Sequence, residues 1–285
     1  MRPTLSNLFN TAVTLIYINI YCFLYAFFCL LRGEGSVFRI SKEVTHIFHP
    51  RFYVVKDSKP IRTGRTMFFM NHRSYADYFV DCFMTGGSSY LSRLGVIFSF
   101  PGPSYCGYLL NFVWFFYKRK GIDRKWFTRF VASKWNHRSD NGCIVYPEGH
   151  ISKPSSHPVL RTGVMEVAYN LNCPCQIVLT KGKEEIINVE SLAFQENAHL
   201  SVCVSEVLIP RDYKTKEEWF SKVQEVWERV AASLEDREGE TEIIAPLPGV
   251  NTDLCVDEPI SGNAMVYSIT ALIAFAALCY SLYYM

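Results

Sequence analysis

Two long runs without a charge frame the chain, and short apolar runs alternate with amphipathic ones between them. Residues 8–31 and 263–285 contain no Asp, Glu, Lys or Arg. Inside that frame, residues 51–56, 66–70, 112–117, 143–146, 175–180 and 200–208 are short apolar stretches bounded by turn residues, the pattern of strands. Residues 74–84, 123–137, 163–171 and 216–234 repeat apolar positions at helical spacing. The clearest stripe is Trp219, Val223, Val226, Trp227 and Val230, which belongs in a core. Residues 90–100 fit either element, up to the break at Pro101-Gly102-Pro103. Strands alternating with helices predict an α/β fold, a mixed β-sheet flanked by helices, held between N- and C-terminal membrane helices.

A helix over residues 8–31 would reach roughly 36 Å at 1.5 Å per residue, enough for a bilayer core of about 30 Å. A cleaved signal peptide fits the run less well, because it is too long and no small-residue cleavage site precedes Arg32. Asn7, Asn10 and Asn19 leave open a re-entrant helical pair in place of a spanning one. The second run reads as a C-terminal anchor, since no polar spacer separates Ser261-Gly262-Asn263 from the apolar tail, as a lipid-anchor signal would require. Arg32, Arg39, Lys42 and Arg51 follow the first run and only Arg2 precedes it, which puts the middle of the chain on the cytosolic side. The expected organisation is a membrane segment at 1–32, a folded domain at 33–236, an acidic Pro- and Gly-containing linker at 237–260 and an anchor at 261–285.

Composition narrows the partners. Net charge is +2, so no nucleic acid is held by bulk electrostatics. Ten cysteines lie scattered without metal-ligand spacing, so no metal is expected; Cys173-Pro174-Cys175 sits in an apolar run and reads as core packing. Free buried thiols suit a reducing compartment.

The candidate chemistry follows the strand at 66–70, in Asn71-His72-Arg73-Ser74-Tyr75-Ala76-Asp77. A neutral imidazole can take a proton near neutral pH, and a carboxylate on its other nitrogen fixes the tautomer. Ser74-x-x-Asp77 is equally close to a helix capping box, in which Asp77 serves only the helix start. His137, His157 and His199 have no partner at useful spacing. No G-x-S-x-G elbow is present, so no covalent intermediate on a serine of that kind is expected.

A second polar block, Pro147-Glu148-Gly149-His150, ends the strand at 143–146, and Phe115-Phe116-Tyr117-Lys118-Arg119 ends the one at 112–117. The ordered set resembles the glycerolipid acyltransferase family typified by 1-acylglycerol-3-phosphate acyltransferase, with its N-H-x-S-x-x-D, F-I-x-R and P-E-G-T-R blocks. Pro174-Cys175-Gln176-Ile177-Val178 is similar to that family's last, Pro-containing strand, so the resemblance covers about residues 66–179. It implies acyl transfer from acyl-CoA, as co-substrate and with no further cofactor, to a lysophospholipid hydroxyl in membrane lipid. His72 would be the base, Asp77 its orienting partner and Arg119 the ligand of the head-group phosphate. Glu148 and Gly149 would shape the acceptor pocket. Here His150 and Ile151 stand where the family has Thr and Arg, which leaves the acceptor open; Lys153, Arg161 or Arg124 would then supply the charge. The implied setting is the endoplasmic reticulum membrane with the domain facing the cytosol. A catalytically lapsed lipid-binding or scaffolding homologue is the alternative, favoured by Ile151 alone.

Overall fold

Side-chain caps open the first two helices. In the computed structural model, which describes residues 4–117, 122–136, 142–153, 158–252 and 256–271, α1 (Leu5–Arg32) starts where the Thr4 side chain accepts from the Asn7 N–H at 3.2 Å. It is one unbroken helix and stops at Gly33, whose φ of 75° is the left-handed conformation glycine tolerates. After β1 (Glu34–Gly35), Ser36 caps α2 (Val37–Ile47), a helix the strand-seeking pattern did not single out. Then come β2 (Arg51–Val54), β3 (Met67–Met70), α3 (Asp77–Met84), β4 (Ser89–Arg93) and α4 (Val96–Ser99). The ambiguous stretch at 90–100 is thus the end of a strand followed by a helical turn.

Pro101-Gly102-Pro103, expected to break the chain, instead opens α5 (Pro101–Leu109). Proline fits the first helical turn, where its missing N–H has no partner to lose. The remainder is β5 (Val113–Phe116), α6 (Arg124–Asn136), β6 (Cys143–Val145), α7 (Thr162–Asn170), β7 (Cys175–Lys181), α8 (Lys183–Ile186), β8 (His199–Val204), α9 (Lys216–Asp236), β9 (Thr241–Ile243) and β10 (Glu258–Pro259).

Eight strands form one sheet in the order β5-β4-β6-β3-β7-β8-β2-β9. The run from β5 to β7 is parallel; β7–β8 and β2–β9 are antiparallel. β3 is buried at every position, and its side chains alternate: Phe68 and Met70 enter one core, Met67 and Phe69 the other. That is what a central strand covered on both faces requires. The first core takes in residues of α1, α2, α3 and α5, the second those of α6, α7 and α9. The expected Trp219–Val230 stripe is buried in the second.

The stretch expected as a linker lies against the domain. β9 adds to the sheet edge, the Leu247 N–H donates to the Met84 carbonyl at 3.1 Å, and the Ile61 N–H donates to Pro248 at 2.7 Å. Asp257 meets Arg32 at 3.0 Å and Arg39 at 3.4 Å, and β10 pairs with β1, joining this stretch to the end of α1. Residues 262–271 are helical; the rest of the expected C-terminal anchor falls outside the described residues.

Candidate active site

Parallel pairing of β3 with β6 sets Phe69 opposite Val145, so the chain leaves both strands side by side on the carboxyl edge of the sheet. In open α/β sheets ligands bind on that edge. His72 and the turn Tyr146-Pro147-Glu148 are therefore neighbours, although about 75 residues of sequence separate the two expected blocks. Asn71 finishes β3 by pairing its side-chain amide with the Thr180 backbone, at 2.8 and 3.0 Å.

His72 Nδ1 lies 2.9 Å from Asp77 Oδ2. An acceptor on Nδ1 fixes the tautomer that leaves the Nε2 lone pair available. The same Asp77 oxygen accepts from the backbone N–H groups of Arg73 at 2.6 Å and Ser74 at 3.1 Å. One carboxylate thus holds both the His72 ring and the turn leading into α3; the expected capping box is not formed, since the N-cap is Ala76 and it has no side-chain cap. Burial pushes its carboxyl up, but Lys183, the His72 ring and the Arg73 N–H together outweigh that and hold it below the usual value. The helix begins at Asp77 rather than at Ser74, whose hydroxyl instead donates to the Ile187 carbonyl at 3.0 Å. The His72 ring stacks on Tyr146, 4.4 Å between centroids and 12° from parallel.

Beside His72 opens a cavity of about 1110 Å³. Tyr75, Phe100, Phe115, Phe116, Phe127 and Leu160 give it an apolar wall. Arg93, Arg124 and Arg161 also border it, as do Gly149, His150 and Ile151. Gly149 has a φ of 74°, and a Cβ there would sit 2.7 Å from the Arg161 Cδ. Its carbonyl accepts from Arg93 Nη2 at 2.6 Å. Glycine is required at that crossing of two arginines.

The other expected site residues are placed differently. Glu148 is buried, takes no part in lining the cavity, and accepts from Arg73 Nη1 at 2.7 and 3.0 Å and from the His72 N–H at 3.3 Å. It ties the two turns together. Lys153 is 76% exposed and pairs with Glu190 at 2.6 Å, outside the cavity lining. Arg119 lies outside the described residues, as do His137 and His157. Among the described residues no cluster of His, Cys, Asp and Glu fits a metal ion.

Three residues were not anticipated. Arg93 ends β4 in an apolar stretch whose element type the sequence left open. Lys183 is fully buried, its Nζ 2.9 Å from both oxygens of Asp81, 2.8 Å from the Asn71 carbonyl and 3.7 Å from Asp77 Oδ1. Asp81 also accepts from the Tyr146 hydroxyl at 2.8 Å. Burial raises the Asp81 carboxyl to about 6, with Lys183 opposing and Asp77 adding to the rise. The spacing of Asp77 and Asp81, one helical turn apart on an otherwise apolar helix, is the signal that could have found them.

The fold that carries this site is shared with a solved acyltransferase. It is similar to the crystal structure of the 1-acyl-sn-glycerophosphate (LPA) acyltransferase PlsC from Thermotoga maritima, with a TM-score of 0.60 over 80% of this chain and 98% of that one. Sequence identity is 16%, so the likeness is one of fold. The sequence matches no family model and no curated protein.

Proposed function

We propose that the chain is a membrane-associated acyltransferase that moves a fatty acyl group from acyl-CoA to the hydroxyl of a lysophospholipid. The observation that carries this is the His72–Asp77 pair, 2.9 Å apart, with His72 on the wall of a large cavity that has an aromatic side. His72 Nε2 takes the proton of the acceptor hydroxyl while its oxygen attacks the thioester carbonyl. Collapse of the tetrahedral adduct breaks the C–S bond, and the imidazolium returns the proton to the departing sulfur. Asp77 holds the ring and stabilises the imidazolium. The aromatic wall takes an acyl chain; Arg161, Arg124 and Arg93 supply positive charge for an acidic head group on the side where Ile151 supplies none.

A helix of 28 residues with a mean hydropathy of 2.0 in its most apolar window is long enough to meet a bilayer. α1 buries Thr11, Ile18, Cys22, Ala26, Cys29 and Leu30 against the domain and turns Phe9, Ile16, Ile20, Phe23, Phe27 and Leu31 outward. The outward face supports a domain drawn against lipid along this helix. The cationic flank after α1 supports a cytosolic orientation, at the endoplasmic reticulum in this proposal.

The test is to incubate membranes carrying the protein with labelled acyl-CoA and a panel of lysolipids. A diacyl product is expected, and His72→Ala should lower turnover by about 10²- to 10⁴-fold with membrane content unchanged. A variant keeping more than about a tenth of wild-type turnover would remove His72 from the reaction. Absence of product from the whole panel would favour the lapsed, lipid-binding homologue that Ile151 suggests.

A further inference from the structure

We propose that Lys183 and Asp81 are positioning residues for His72: a buried ammonium–carboxylate pair that sets the charge the imidazole sees and braces its two neighbours. The inference rests on the reading of His72 as the base. Two arms connect the pair to the ring. Through one, Lys183 Nζ stands 3.7 Å from Asp77 Oδ1, on the carboxylate whose other oxygen holds His72 Nδ1. Through the other, Asp81 accepts from the Tyr146 hydroxyl, and the Tyr146 ring lies flat against His72.

Lys183 is not a surface lysine folded inward by chance. Gly182 before it has a φ of 98°, and a Cβ there would collide with the His199 carbonyl, so the chain is committed to this turn. The ammonium donates to both Asp81 oxygens and to the Asn71 carbonyl, and Asp77 Oδ1 stands 3.7 Å away as an ion pair without a hydrogen bond. Asn71 is the residue before His72, so the lysine also anchors the backbone from which the base projects.

The charge count explains why a cation belongs here. The titratable groups facing the cluster are Asp77 and Asp81 from α3, Lys183 from α8, His72 after β3, Tyr146 after β6 and Tyr90 from β4, whose hydroxyl donates to the Asp77 carbonyl at 2.9 Å; Arg73 and Glu148, which touch the His72 backbone, pair with each other at 2.7 Å and add no net charge. Cys82 points away, its thiol donating to the Ser88 carbonyl. Burial holds Tyr90 and Tyr146 well above the usual phenol value, so both stay neutral. With His72 neutral, two carboxylates face one ammonium; when His72 takes a proton the cluster becomes neutral. A buried cluster one positive charge short favours protonation of the base at the moment of attack. Without Asp81 that deficit vanishes; without Lys183 it doubles.

The prediction is a pair of opposite shifts and a rescue. Asp81→Asn, close in shape, should lower kcat/KM by about tenfold and move its acid limb down by about one pH unit, with both substrate KM values within about twofold. Lys183→Met should move the limb up or lose folded protein, since two buried carboxylates then repel. Lys183→Met/Asp81→Asn restores the wild-type charge and should return the limb to its wild-type position in folded protein. A merely structural role would leave the limb unmoved in every variant that folds, as judged by circular dichroism. Asp81→Asn with wild-type kcat/KM and an unmoved limb overturns the inference, as does a double variant whose limb is displaced as far as that of Asp81→Asn. Activity surviving His72→Ala would instead overturn the reading beneath it.

Discussion

Arg161 is one of the side chains proposed to supply the charge that Ile151 does not. Ile151 stands where a head-group arginine is expected, yet Arg161 crosses over Gly149 on the same turn and borders the cavity with Arg93 and Arg124. A charge-assisted contact to a phosphate is worth about 1.5–3 kcal/mol, so Arg161→Ala should raise the acceptor KM by about tenfold or more while the acyl-CoA KM stays put. Steady-state kinetics with each substrate varied in turn checks this; an unchanged acceptor KM would assign the head group to other residues. Residues of the site were legible where chemistry and turn coincided. His72 and Asp77 announced themselves at the end of an apolar strand, and their partnership is local. Lys183 did not, because Lys181-Gly182-Lys183-Glu184-Glu185 reads as a solvated turn. Only contact with a helix about a hundred residues earlier makes it a core residue.

Elements were legible where periodicity decided them and obscure where a neighbour did. The strands at 67–70 and 143–145 and the long amphipathic helix near the end follow their apolar pattern closely. α5 does not, since Pro-Gly-Pro carries the composition of a turn, and what makes it a helix start is α1 beside it. The Gly102 N–H donates to Asn19 Oδ1 at 2.9 Å, and a Cβ at Gly102 would collide with the Asn19 carbonyl. Asn19, which raised the question of a re-entrant pair, is thus a lock between two helices. Gly102→Val should push α1 from α5 at a cost of about 1–3 kcal/mol, lowering Tm by about 2–4 °C per kcal/mol. Gly95→Ala, facing open space, is the control and should leave Tm alone. Equal melting temperatures for the two variants would show that the helices do not depend on this contact. α5 also lends Pro103 and Ser104 to the cavity wall, so the Gly102 variant should lose activity before it unfolds.

Across the whole molecule, the helix proposed to meet lipid is also part of the structure that surrounds the site. Thr11 of α1 donates to the Leu192 carbonyl, three residues from Val189 on the cavity wall, and further along the same helix packs on α5. β1–β10 pairing and Asp257 then bind the closing stretch of the chain to the end of that helix. The lysolipid acceptor proposed above would then approach in two dimensions, obeying crowding within the sheet of lipid and not its amount per volume of buffer. Diluting vesicles at fixed composition should leave the rate per enzyme unchanged while the protein stays bound. Mixing inert phospholipid into the same vesicles, at constant total lysolipid, should slow it in proportion to the falling mole fraction. A rate that tracks bulk lysolipid and ignores mole fraction would mean the acceptor arrives through water, and that the apolar face of α1 serves some other contact.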